Sequence, residues 1–236
     1  MEKNKRFNKV FCIGMHKTGT SSIGLALIEL GYSVLGARVD LADDLLEGKI
    51  ENVLEAVAPY SAIQDVPWAL LYKELDNKYP NSKFILTERD EVKWMNSVLK
   101  HFGNKHIKIH KWIYGKGVAM ENKELYLKKY RSHYQEVKEY FKNRSKDLLI
   151  ISLAEGGGWK EVCDFLGHPI PKKKFPVANK GRHNWTLMEK SYDFVRSFIP
   201  GKIRRKILDL LGVPDKRNRF HNHIENSTYI EKGKDR

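Results

Sequence analysis

The stretch VFCIGMHKTGTSSIGLALIEL, residues 10–30, carries the pattern from which the fold is read. Val10 to Ile13 is a short apolar run of the kind that forms a buried strand. A turn bounded by Gly14 and Gly19 follows, and from Thr20 to Leu30 the apolar residues recur at helical spacing, with Gly31 as the stop. A glycine turn between a strand and a helix is an anion cradle. Small residues let backbone N–H groups approach a phosphate, and the helix N terminus adds partial positive charge. The hydroxyls of Thr18, Thr20, Ser21 and Ser22 are further potential donors there.

Outward from this stretch, strands and helices alternate. Residues 41–57 read as an amphipathic helix, Ser61 to Val66 as a strand ending at Pro67, and Trp68 to Tyr79 as a helix broken by Pro80-Asn81. Lys83 to Glu88 is a further strand, and Asp90 can cap a helix that runs to about Lys100. Residues 101–117 look irregular, and Glu121 to Asn143 forms a long, charged helix. Leu148 to Leu153 (LLIISL) reads as the most deeply buried strand, and Gly157-Gly158 leads into a helix over Trp159 to Leu166. This alternation predicts a three-layer α/β/α fold with a central parallel sheet, like that of P-loop nucleotide triphosphatases. A single domain over residues 1–236 is expected, with a basic C-terminal extension from about residue 184 that includes a possible helix at Ile203 to Leu211.

Composition narrows the function classes. The formal net charge is +14, and 17 Lys and Arg stand against 7 Asp and Glu from His168 onward. Such a surplus suits an anionic partner without saying which. No segment has the length and apolarity of a transmembrane helix, and the basic start turns into a strand too soon for a secretory leader, so a cytoplasmic protein is expected. Cys12 and Cys163 both lie in apolar patterns and read as buried structural thiols. His106 with His110, and His221 with His223, have ligand-like spacings but lack companions, so no metal site is expected.

A nucleotide triphosphatase would show G-x-x-x-x-G-K-[ST]. Gly14 and Gly19 keep that spacing, yet Thr20 stands where the lysine belongs, and Lys17 comes before the second glycine. The strand LLIISL also runs into Ala154-Glu155 rather than a magnesium-binding aspartate. Both features weigh against ATP hydrolysis.

Three segments, in order, resemble the sulfotransferases that use 3′-phosphoadenosine 5′-phosphosulfate (PAPS). The run Lys17-Thr18-Gly19-Thr20-Ser21-Ser22 resembles their 5′-phosphosulfate loop. Arg89 and Ser97 match the arginine at a strand end and the serine on the next helix that hold the 3′-phosphate in that family. Gln64 to Leu71 is similar to the strand-end segment that carries the family's base, with Asp65 at that position. Gly158-Trp159 to Gly167, then Phe175-Pro176, resembles one branch of small sulfotransferases.

The resemblance implies that Lys17 binds the 5′-phosphate and offsets charge on the bridging oxygen. It implies that Asp65 either takes the acceptor's proton or positions the acceptor, and that Asn179-Lys180-Gly181-Arg182 reaches the 3′-phosphate. PAPS would be the donor, PAP the product, and a small molecule, carbohydrate or peptide the acceptor. His16 either touches the ligand or faces solvent. Trp68 and Trp94 suit core packing better than adenine stacking. Taken singly, Arg89 also fits a surface ion pair, and Ser97 a solvated helix position. Rival readings are a nucleotide kinase-like phosphotransferase and a non-catalytic P-loop module that binds nucleotide or nucleic acid, although no nucleic-acid motif supports the latter. Oligomeric state leaves no mark in the sequence.

Overall fold

A computed structural model describes residues 7–178. Its sheet has five parallel strands: β1 (Val10–Cys12), β2 (Val34–Leu35), β3 (Ala62–Gln64), β4 (Lys83–Thr87) and β5 (Leu148–Ile151), in the order β2-β3-β1-β4-β5. The helices are α1 (Thr20–Glu29), α2 (Ala42–Leu46), α3 (Ile50–Glu55), α4 (Tyr72–Lys78), α5 (Glu91–His101), α6 (Lys108–Tyr114), α7 (Lys123–Phe141) and α8 (Trp159–Leu166).

Strand alternation sorts the side chains into two cores. Val10, Cys12, Ala62 and Ile85 pack with Ile23 and Leu27 of α1 and Val162 and Leu166 of α8. Phe11, Ile63, Phe84 and Leu86 point the other way and pack against α4, α5, α6 and α7 through Leu75, Trp94, Ile113, Val137 and Phe141. Helices therefore cover both faces of the sheet, the arrangement an all-parallel sheet requires. The two cysteines are free and buried, and burial pushes the Cys12 thiol up to about 12. Among the described residues no helix is long and apolar enough to cross a membrane.

The structure corrects the sequence reading at three places and adds a strand. β5 is not the most deeply buried strand but an edge: Ile150 is 43% exposed while Ile151 packs into the core. An apolar run reports hydrophobicity, not position within the sheet. The expected single helix over 41–57 is split into α2 and α3 by Gly48, whose φ of 72° lets Lys49 N–H turn back onto Asp44 C=O. The expected irregular region 101–117 contains α6, which stops at Gly115 in a left-handed conformation. β2 is only two residues long, too short for periodicity to register. Asp90 does cap α5, accepting a hydrogen bond from Lys93 N–H at 2.9 Å.

Candidate active site

The sheet order places β1 between β3 and β4, and the chain leaves β1 and β4 toward opposite edges. Such a switch in direction opens a crevice beyond the strand ends, where open α/β sheets bind ligands. The segments after β1, β3 and β4 hold Lys17, Asp65 and Arg89 respectively.

The loop after β1 is packed tightly against the end of β4. A Cβ on Gly14 would lie 1.9 Å from Thr87 Oγ1 and 2.7 Å from Thr87 O, so only glycine fits. Thr18 Oγ1 donates to Met15 O at 2.6 Å and sits 2.6 Å from Thr87 Oγ1, which locks the loop to the strand. The Thr18 hydroxyl is thus committed to the protein. Thr20 Oγ1 donates to Asp65 Oδ2 at 3.0 Å, and Ser22 Oγ accepts from Ala178 N–H at 3.0 Å. Ser21 is half-buried on the first turn of α1.

Three of the four hydroxyls are therefore engaged internally. Lys17 (φ 68°) and Gly19 (φ 107°) both adopt left-handed turns, a backbone form that makes concave N–H nests. Gly19 precedes α1, whose N terminus has no capping side chain and no acidic residue in its first turn. Unsatisfied N–H groups at such an end favour a bound anion.

His16 does not face solvent. It is 1% exposed, its ring stacks on His110 at 5.1 Å, and Nε2 lies 3.1 Å from Tyr114 Oη. Burial drives the Tyr114 phenol well above the ordinary tyrosine range, which keeps it a neutral hydrogen-bonding group. Trp94 is fully buried, its indole donating to His16 C=O at 2.8 Å, and Trp68 donates to Gly36 C=O at 2.8 Å. Both tryptophans are core residues, so neither can stack on a base. His110 Nδ1 lies 3.0 Å from Tyr126 Oη, and among the described residues no group of His, Cys, Asp or Glu is placed to hold a metal ion.

Lys17 and Arg89 come together: Arg89 Nη1 donates to Lys17 C=O at 2.9 Å. Partial burial lowers the Lys17 ammonium from its ordinary range, Arg89 adds to that lowering, and Asp65 opposes it. Asp65 is 2% exposed and accepts from Val66 N–H at 2.8 Å as well as from Thr20. Of the non-glycine residues with positive φ among those described, Lys17 and Asp65 are two and Asn81 is the third. Such conformations cost on the order of 1 kcal/mol or more, and they cluster where function fixes geometry. Ser97 is half-buried two turns into α5, about 9 Å along the axis from the start of that helix. Lys180, Gly181 and Arg182 lie outside the described residues.

A cavity of about 390 Å³ opens beside Arg89, lined by Tyr130, Arg131, Tyr134, Ser152 and Glu155 among others. Two of these belong to a set that sequence reasoning missed. Tyr130 Oη donates to Arg89 C=O at 2.6 Å and accepts from Arg89 N–H at 3.3 Å. Tyr134 Oη donates to Thr87 C=O at 2.7 Å and accepts from Met15 N–H at 3.3 Å. His133 Nε2 donates to Ile13 C=O at 2.8 Å, and burial depresses that imidazole to about 4 despite the hydrogen bond. The available signal was the spacing of Tyr126, Tyr130 and Tyr134, one helical face inside a charged segment.

A family model described as "Sulfotransferase domain" matches residues 9–116 and 99–184. A curated relative, "Ava biosynthesis cluster protein M" of Aspergillus versicolor, is 26% identical over 212 residues, covering 71% of this chain and 79% of that protein.

Proposed function

Because this chain belongs to the sulfotransferase domain family, we propose that it moves a sulfuryl group from PAPS to a hydroxyl or amine of a small-molecule or carbohydrate acceptor. The observation that carries this reading is the contact between Arg89 and the Lys17 loop. It sets a guanidinium fork beside a backbone anion cradle, a pairing suited to one nucleotide with phosphates at both ends. The residues fit such a ligand: Gly14 packs the loop against Thr87 with no room for a side chain, Gly19 takes a left-handed φ of 107°, and the α1 N terminus is uncapped.

PAPS supplies an activated sulfuryl group on a phosphate leaving group. The amides from Lys17 to Ser21 orient the 5′-phosphate, and the Lys17 ammonium offsets charge on the oxygen that departs. Arg89, with Ser97, Lys180, Gly181 and Arg182, holds the 3′-phosphate and so distinguishes this nucleotide from one lacking it. His16, buried and with its carbonyl held by Trp94, supports the loop from behind.

Asp65 faces the acceptor side and either receives the acceptor's proton or fixes its orientation. Thr20 holds one carboxylate oxygen and Val66 N–H the other, which sets the carboxylate in a single pose. Asp65→Asn distinguishes the two roles. Loss of a general base costs about 10²-fold or more in turnover, whereas a positioning role shows first in the acceptor KM. In both cases PAP affinity stays within about twofold.

We read the chain as one cytoplasmic domain that acts without a metal. A kinase-like reading is weaker, because Thr20 occupies the position of the nucleotide-binding lysine and its hydroxyl is engaged by Asp65. The test is a thermal-shift comparison of PAP, AMP and ATP with Mg²⁺, followed by a transfer assay with PAPS. Stabilisation by PAP above AMP, with no metal added, is the expected outcome. Preference for ATP with Mg²⁺ would favour the kinase reading instead.

A further inference from the structure

Helix α7 supplies three consecutive rungs to the phosphate-facing segments, although it contributes none of the residues expected to touch the nucleotide. Tyr130, His133 and Tyr134 stand at i, i+3 and i+4, on one face of the helix. Each makes hydrogen bonds to backbone, and the Tyr134 hydroxyl also interacts with those of Tyr130 and Thr18. Tyr130 uses its hydroxyl twice on one residue, taking Arg89 N–H and giving to Arg89 C=O. Tyr134 bridges two segments, from Met15 N–H in the β1–α1 loop to Thr87 C=O at the end of β4. His133 holds Ile13 C=O at the root of the same loop.

We infer that Tyr130 and Tyr134 are positioning residues with separate duties. Tyr130 sets the backbone from which the Arg89 guanidinium projects, and Tyr134 sets the spacing between the Lys17 loop and β4. This rests on the nucleotide reading above. A phosphate is recognised by a fork only when the fork is already aimed, so losing the hydroxyl of Tyr130 loosens Arg89 most directly, the residue whose N–H and C=O it holds. Losing that of Tyr134 loosens the loop shared by every 5′-phosphorylated ligand. The aromatic rings can stay in place without their hydroxyls: Tyr130 packs on Trp94 at 4.2 Å and on Tyr134 at 4.4 Å between ring centroids.

The experiment is calorimetric titration of the wild-type chain, Tyr130→Phe and Tyr134→Phe with PAP and with AMP. The wild type binds PAP more tightly than AMP. In Tyr130→Phe, PAP affinity falls about tenfold, the scale of one hydrogen bond that orders a charged group, while AMP affinity stays within about twofold. In Tyr134→Phe, both nucleotides weaken by a similar factor. A merely structural role would weaken both ligands in both variants, so the PAP-to-AMP ratio is the deciding readout. If Tyr130→Phe keeps the wild-type ratio, the inference is overturned and the nucleotide reading survives. A wild type that does not prefer PAP to AMP overturns both. Should Tyr134→Phe fail to fold, the Tyr130→Phe ratio still decides.

Discussion

In the β1–α1 loop, the side chains of His16, Thr18 and Thr20 are taken up by Tyr114, Met15 and Asp65, so the proposed function assigns the anion to backbone amides, Ser21 and Lys17. At the β4–α5 junction the division is reversed. There the backbone of Arg89 is taken up by Tyr130, and the side chain, which donates through Nη1 to Lys17 C=O, is the group proposed to do the recognising. The loop depends on volume and backbone shape, so it should be sensitive to an added methyl group and to loss of its lysine. The junction depends on one charge and its aim, so it should be sensitive to truncation of one side chain and to little else nearby.

The largest expected effect is on the loop side. Lys17→Ala should lower turnover with PAPS by about 10²–10³-fold, the usual cost of removing a group that stabilises developing charge. A transfer assay at saturating donor checks this, and turnover within twofold of wild type would remove Lys17 from the chemistry.

Next comes the junction. Arg89→Ala should weaken PAP by about 10–100-fold, the worth of a charge-assisted hydrogen bond, while AMP binding barely changes. Equal losses for PAP and AMP would mean that Arg89 supports the loop through Lys17 C=O rather than reading the 3′-phosphate.

The third prediction separates volume from charge. Gly14→Ala inserts a methyl group where Thr87 already stands, and should destabilise the fold by about 1–3 kcal/mol in urea titrations. The same substitution at Gly31, where a Cβ meets nothing within 4 Å, carries only the strain of its positive φ.

The last effect is a slope with pH and concerns the support beneath the loop. His133 has a folded value of about 4 against 6.5 for the unfolded group, so the unfolded chain binds the extra proton between those values. Stability therefore rises with pH across pH 4 to 6.5 and is lost again as acid is added. Urea midpoints over that range check the slope, and His133→Gln should flatten this part of it.

The same comparison explains what the sequence revealed. The turn bounded by Gly14 and Gly19 was legible as a strand-to-helix connection because an apolar run stands before it and a helical pattern after it. The parallel α/β/α architecture was legible from alternating periodicities, and α5 from its Asp90 cap. Position within the sheet was not, because β5 has the composition of a central strand and only the pairing order makes it an edge. The helix α6 was hidden by its mixture of histidine, lysine and aromatic residues, which lacks a clean apolar stripe. The grip of α7 was hidden for a different reason. Tyr130 and Tyr134 act on backbone atoms more than forty residues away, and a hydrogen bond to a carbonyl leaves no complementary residue type to find.

The most direct test of the account is a structure of the chain with PAP bound. The account predicts the 5′-phosphate against the amides between Lys17 and Ser21, and the 3′-phosphate within hydrogen-bonding distance of the Arg89 guanidinium. A nucleotide that engages only one of those two segments, or that lies elsewhere on the molecule, would contradict it.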